Sequence, residues 1–178
     1  ISVADAAINV VNCKAGIEVG TEKAWELCEK YRLPKLIFVT NMDDDHASFR
    51  ELVLKLERRF GRSVAPFQLP IRENEKFVGY VNVVKMGGRR FTNLSDYEEC
   101  EIPEYSKKNL GIARDALLEA VAETSEEYME RYFSGEEFTL DEIQGALREH
   151  VIDGSIVPVL MGSGINCQGF KTLLQVID

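Results

Sequence analysis

No run in the chain approaches the roughly 20 apolar residues that a membrane-spanning helix needs. Its apolar stretches are short and strand-sized, so no membrane partner is expected. Basic charge is also scarce: 21 Lys and Arg stand against 30 Asp and Glu, a formal net charge of −9. An acidic surface repels phosphate backbones, so little direct grip on nucleic acid is expected. Arg58-Arg59 and Arg89-Arg90 are isolated pairs. Histidine occurs only at His46 and His150, which have no partner pattern and read as structural or surface residues. Cys13, Cys28, Cys100 and Cys167 show no C-x-x-C spacing and no adjacent histidine, which argues against a zinc site or a disulfide framework. Scattered thiols fit a reducing cytoplasm. Neither a G-x-x-x-x-G-K-[ST] phosphate cradle nor a G-x-S-x-G nucleophile elbow occurs. The chain opens on Ile1 rather than methionine, without the basic n-region of a signal peptide. We read that start as a cut inside a longer protein, with precursor processing as the alternative.

What is present is a globular pattern: 178 residues, 45% hydrophobic and 29% charged, enough for one or two small domains with a real core. Ala6 to Val11 reads as a mostly buried strand, followed by a loop punctuated by Gly16 and Gly20. An apolar stripe at Ala24, Trp25, Cys28 and Tyr31 predicts a helix from Thr21 that Pro34 stops, with Trp25 in the core. Leu36 to Val39 is a second buried strand. A helix then opens at the capping-box pattern Ser48-x-x-Glu51, presents Phe49, Leu52, Val53, Leu56 and Phe60, and ends at Gly61. Strand, helix, strand, helix implies a parallel sheet covered by helices, whose ligand loops follow the C-terminal ends of the strands. The texture then changes. Val64 to Ile71, Phe77 to Val84 and Arg89 to Phe91 read as short strands, with Gly87-Gly88 as a hairpin turn. Glu104 to Val151 reads as helical, with a stripe at Leu110, Ala113, Leu117 and Val121 and capping boxes at Thr124-x-x-Glu127 and Thr139-x-x-Glu142. Ile156 to Met161 is a last buried strand, Gly162-Ser163-Gly164 a loop, and a helix closes the chain from about Gln168 to Ile177. The fold class is therefore α/β: residues 1–63 and 154–178 form a parallel sheet with helices, and residues 64–153 an α+β insertion expected to have a core of its own.

Two loops stand where a ligand is expected, Thr40 to Asp45 after the second strand and Gly162 to Gly164 after the last. A guanine base needs a carboxylate that accepts from N1–H and N2–H₂ together, and a backbone N–H near O6. Phe38-Val39-Thr40-Asn41-Met42-Asp43 resembles the Phe-Val-Asn-Lys-Met-Asp stretch of elongation factor G. The resemblance continues in order along nearly the whole chain. Pro66 to Ile71 and Phe77 to Met86 look like the start of that family's inserted G′ subdomain. Ser125 to Tyr132 and Gly145 to Arg148 look like its helices, and Pro158 to Gly164 like its final strand and Ser-Ala-x loop.

The resemblance implies a P-loop-GTPase-type domain whose N-terminal half is missing from this sequence. The whole would be a ribosome-associated, cytoplasmic translation elongation factor that promotes translocation with GTP hydrolysis. It would use GTP or GDP with Mg²⁺, and would touch the ribosomal stalk protein through residues 64–153. It places Thr40, Asn41, Asp43, Ser163 and Gly164 on the guanine side, and no catalytic or metal residue in this stretch, so the isolated chain is expected to be inactive and to hold no nucleotide tightly. Of the family's Asn, Lys and Asp only the Asp is retained, and the family's Ala is Gly164. A second register pairs Asn41 with Asp44. Read without the resemblance, Asp43-Asp44-Asp45 is helix-capping charge, because calcium-loop spacing would need Glu where Leu54 stands, and Ser163 is a turn residue. The acidic stretches Glu98–Glu104, Glu119–Glu130 and Glu136–Glu149 read as helices, either a solvated face or a protein-docking surface. Two other readings stay open: a related ribosome-protection GTPase, and an interaction module that no longer binds nucleotide.

Overall fold

The structure, a computed structural model, describes residues 3–92 and 96–177; Ile1, Ser2 and Asp178, the outermost residues of the two outer segments, lie outside the described residues. The chain runs β1 (Ala7–Asn12), α1 (Val19–Tyr31), β2 (Lys35–Thr40), α2 (Phe49–Phe60), β3 (Val64–Pro66), β4 (Gln68–Glu73), β5 (Lys76–Asn82), β6 (Gly87–Phe91), β7 (Tyr97–Cys100), α3 (Glu104–Ala122), α4 (Glu126–Ser134), α5 (Leu140–Asp153), β8 (Val157–Met161) and α6 (Phe170–Ile177). Two four-stranded sheets result: a parallel one in the order β1-β2-β8-β3, and an antiparallel one in the order β4-β5-β6-β7. This is the α/β class expected from the sequence.

The middle of the parallel sheet is apolar on both faces. Leu36 to Val39 and all of β8 are buried, as strands covered by helices on either side must be. Alternation sorts the side chains. Ile37 and Val39 join Val157, Val159 and Met161 against Phe49, Leu52, Val53 and Leu56 of α2. Leu36, Phe38 and Leu160 point the other way, into a cluster with Leu117 and Val121 of α3, Ile143 and Leu147 of α5 and Leu173 of α6. The helices after residue 103 thus form the second cover of the parallel sheet rather than a core apart. The antiparallel sheet has its own small cluster, with Ile71, Val81 and Val83 packed on Leu110. It is also tied to α6, where Tyr80 Oη shares a hydrogen bond with Thr172 Oγ1 and accepts one from Arg89 (3.0 Å).

Local details depart from expectation in six places. The first strand is not buried: only Val11 of β1 is, and Ile8 and Val10 are exposed, because no helix covers that face of the edge strand among the described residues. The stretch 64–71 is two strands, not one. β3 pairs with β8, the chain turns at Phe67, and the buried Gln68 side chain then accepts the Met161 N–H (2.8 Å) in place of a strand. Gly87-Gly88 is not the hairpin turn but the start of β6, and the turn is 83–86. There Asn82 Oδ1 accepts the Lys85 N–H (2.8 Å) and Arg114 donates to the carbonyls of Val83 and Val84. Gly88 is needed for strand contact instead, since a Cβ there would stand 2.6 Å from the Cys100 carbonyl oxygen. The acidic segment 98–104 does not begin as a helix. Tyr97–Cys100 is an edge strand that sets Glu98 and Glu99 opposite Arg90 and Arg89, a cross-strand charge match that local helix propensity cannot register. The cap of α4 is Ser125, accepting from the Tyr128 N–H, because Thr124 still closes the turn after α3. Ser48 is the N-cap of α2 but its side chain makes no cap bond.

The capping box at Thr139 and Glu142 is present: Glu142 N–H donates to Thr139 Oγ1 (3.3 Å) and Thr139 N–H to Glu142 Oε2 (2.8 Å). Arg131 of α4 reaches the same carboxylate (2.7 Å), joining the two helices. That guanidinium, with the Thr139 bonds, lowers the Glu142 pKa from 4.5 to about 2. A carboxyl that binds its proton less well when folded stabilises the fold fully above pH 4.5, and loses that contribution as pH falls towards 2. We expect Glu142→Gln to lower the urea midpoint at pH 7 and to make the remaining stability fall less steeply between pH 5 and pH 2, as followed by circular dichroism.

Candidate functional site

Parallel strands deliver their C-terminal ends to one edge of the sheet. Because β2 and β8 are neighbours, the loops after them meet: Met42 N–H donates to the Gly162 carbonyl (3.2 Å) and Gly162 N–H to that of Val39 (2.9 Å). The loop after β1 joins them, Cys13 N–H donating to the Thr40 carbonyl (3.0 Å). All five sequence-predicted residues therefore gather at one place. A Cβ on Gly164 would lie 3.9 Å from Thr40 Oγ1, so the two loops approach closely there.

Asn41 leaves β2 in the left-handed region (φ 61°), a conformation that Asn tolerates better than most side chains. Met42 beneath it is fully buried and roots the loop in the core. The two neighbouring aspartates then behave differently. Asp44 is committed: its Oδ1 accepts the His46 N–H (2.9 Å) and its Oδ2 pairs with Lys14 Nζ (3.3 Å). The His46 bond first, then Lys14, holds its carboxyl below the usual range. Asp43, by contrast, has a buried Oδ1 without a protein partner. Buried acceptors are rarely left so, and each exception asks for a reason.

Across from it, Ser163 is fully buried and acts as a loop former. It exchanges backbone hydrogen bonds with Gln168 (3.1 and 3.0 Å), and its Oγ accepts the Asn166 N–H (3.2 Å). Gly164 is exposed, and among the described residues no acceptor faces its N–H. The two loops thus present one buried carboxylate oxygen and one N–H that no other described group satisfies.

Sequence reading missed three members. Lys14 enters through the loop after β1, which the βαβ order alone could have placed at this edge. Ile165, next to Gly164, is an apolar side chain 80% exposed at the mouth. Arg72 comes from the antiparallel sheet and bonds the carbonyls of Met42 (2.7 Å) and Ala47 (3.2 Å); no local pattern announces it. Cys13, under the loop, is kept a neutral thiol by burial, which pushes its pKa up to about 11. Among the described residues no three His, Cys, Asp or Glu side chains are grouped to hold a metal ion, and no helix is long and apolar enough to cross a membrane.

Residues 1–178 match the family model described as the elongation factor Tu GTP binding domain. Among solved structures, the crystal structure of a protein from Thermus thermophilus matches with a TM-score of 0.90 at 34% sequence identity. The match covers 99% of this chain and 26% of that one, so the present chain spans about a quarter of its relative's length.

Space at the second loop is uneven. A Cβ on Gly162 would collide with the Gln168 carbonyl oxygen and stand 2.7 Å from the Phe38 ring, whereas one on Gly164 meets only Thr40 Oγ1. Gly162→Ala is expected to destabilise the chain by about 1–3 kcal/mol, the range for overpacking, while Gly164→Ala stays within about 0.5 kcal/mol. Urea midpoints at constant m-value check both.

Proposed function

Because the chain belongs to the elongation factor Tu GTP-binding domain family, we propose that it is the base-reading portion of the GTPase domain of a ribosome-associated translation factor of the elongation factor G type. Residues 1–63 and 154–178 supply the domain proper. Residues 64–153 are its G′ insertion, joined to it by β3 and by the shared core under α3 and α5. The observation that carries the base-reading assignment is the contrast between the two aspartates: Asp44 is consumed by Lys14 and His46, and Asp43 keeps a buried oxygen unpaired. That contrast favours Asp43 over the register that would use Asp44.

In this reading Asp43 accepts from guanine N1–H and N2–H₂, and the Gly164 N–H donates to O6. Thr40 and Ser163 hold the two loops at their spacing, and Asn41 and Ile165 border the base. Phosphates and Mg²⁺ supply the hydrolytic chemistry of such factors. No phosphate-loop sequence occurs among these 178 residues, so their ligands belong to the rest of the protein. β1 stands at the edge of the parallel sheet, and Ile8 and Val10, which share one face of it, are 46% and 60% exposed, an apolar face that the rest of such a domain would cover. Coupling GTP hydrolysis to translocation on the ribosome, in the cytoplasm, is the activity we assign to the whole protein.

Two measurements test the assignment. In the full-length protein, Asp43→Asn presents a donor where guanine also donates, an unpaired arrangement that costs about 1–3 kcal/mol. It should weaken GDP and raise relative affinity for XDP, whose C2 oxygen accepts from the new amide; competition binding reads both. A preference unmoved by Asp43→Asn but shifted by Asp44→Asn would select the other register, and no shift in either would favour the interaction-module reading. The second concerns α4, which buries no residue and sets Phe133, 80% exposed, among Glu126, Glu127 and Glu130. An apolar centre with an acidic rim suits a basic protein surface better than RNA. Charge reversal at the three glutamates should weaken binding of the ribosomal stalk protein, measured by calorimetry with the full-length protein.

A further inference from the structure

We propose that Arg72 is a positioning residue for Asp43, and that through it the antiparallel sheet holds the base-reading loop in shape. The inference rests on the role given to Asp43 above. The loop begins with Asn41 in the left-handed region and is ordered from within by Asp44, whose N–H reaches the Asn41 carbonyl (3.2 Å) and whose carbonyl accepts the Ala47 N–H (3.0 Å). Those bonds fold the segment but do not tie its two ends together. Arg72 Nη2 does so, donating to the carbonyl of Met42, the residue before Asp43, and to that of Ala47, just before α2. One planar donor group thus spans the loop from entry to exit.

Arg72 is itself held from several sides. The register of the β4–β5 ladder shifts between Ile71 and Arg72, with Val78 of β5 as the extra residue opposite them, and such a bulge twists the ladder locally at the point where Arg72 leaves it. The hairpin beyond turns through Asn74 and Glu75, both with positive φ (47° and 67°), and the Glu75 carbonyl accepts from Arg72 Nη1 (2.6 Å). Tyr105 of α3 grips the backbone: its Oη accepts the Arg72 N–H (3.1 Å) and donates to the Arg72 carbonyl (3.0 Å). Every hydrogen bond of the guanidinium goes to a backbone carbonyl, so the side chain reads and fixes main-chain geometry rather than balancing a carboxylate. A rigid fork of five donors is suited to that task, and a lysine can reproduce only part of it.

The test uses the full-length protein and compares GDP with IDP, whose base lacks the exocyclic amino group. A carboxylate held in register rewards that amino group, so the GDP-over-IDP preference measures how well Asp43 is placed. Arg72→Ala should reduce the preference by about fivefold, part of what one charge-assisted hydrogen bond contributes. Arg72→Lys should recover some of it, and Arg72→Ala should add nothing to Asp43→Asn, the signature of two residues acting through one contact. Tyr105→Phe, which leaves the guanidinium in place, should shift the preference in the same direction by less, and serves if Arg72→Ala does not fold. Equal losses for GDP and IDP, or a lower melting temperature with the preference intact in Arg72→Ala and Tyr105→Phe, would overturn the proposal and leave Arg72 a structural tie. If Asp43→Asn itself leaves the GDP-over-IDP preference unchanged, the base-reading assignment fails and the role of Arg72 falls with it.

Discussion

Two strands buried on both faces, β2 and β8, stand side by side at the centre of the molecule, and the rest of the structure is arranged around that requirement. A strand with no solvent face needs an apolar cover above and below. α2 provides one cover. The other comes from α3 and α5, which belong to the segment that leaves the sheet after β3 and returns at β8. The excursion of the chain is therefore not an ornament on a finished domain. Without it Leu36, Phe38 and Leu160 would keep only α6 as cover on that face, and the pair that aligns the two ligand loops would lose much of its packing there.

Rigidity at the candidate site follows from the same constraint. Met42 and Ser163, the residues that root the two loops, are themselves fully buried, and the Gly162 backbone passes so close to Gln168 that no side chain fits between them. A site anchored this way presents a few polar groups from a frame that cannot relax to satisfy them internally. That is the physical sense in which an unpaired Asp43 oxygen and an unclaimed Gly164 N–H coexist with a packed core, since preorganised polar groups persist only where the surrounding structure over-determines them.

Much of this was legible in the sequence, for reasons that differ by element. Runs such as Leu36 to Val39 and Val157 to Met161 declare buried strands, and the stripe Phe49, Leu52, Val53, Leu56 declares a helix, because those signals are local and periodic. Thr139 and Glu142 announced their capping box because both partners lie within one turn. What could not be read were contacts between distant parts. Tyr97–Cys100 became a strand only because β6 offers Arg89 and Arg90 opposite its glutamates. The turn after β5 is built by Asn82 and by Arg114 from a helix yet to come, so the adjacent glycines drew the eye instead. At the site, strand order placed Asp43 and Ser163 together, but the reach of Arg72 from another sheet has no sequence signature.

Gln68 carries one more consequence. Its side-chain oxygen takes the Met161 N–H at the point where β3 has run out, so an amide of the side chain stands in for a missing length of backbone. A strand end of this kind resembles an ordinary surface junction, where lengthening the chain is usually harmless. Here it is not. One residue added or removed between Pro66 and Gln68 would carry the amide away from its partner, leaving a buried donor in the central strand without an acceptor. The seam between the two sheets is thus fixed in length even though it is irregular in shape, and variants of this fold should differ in loop length almost anywhere before they differ here.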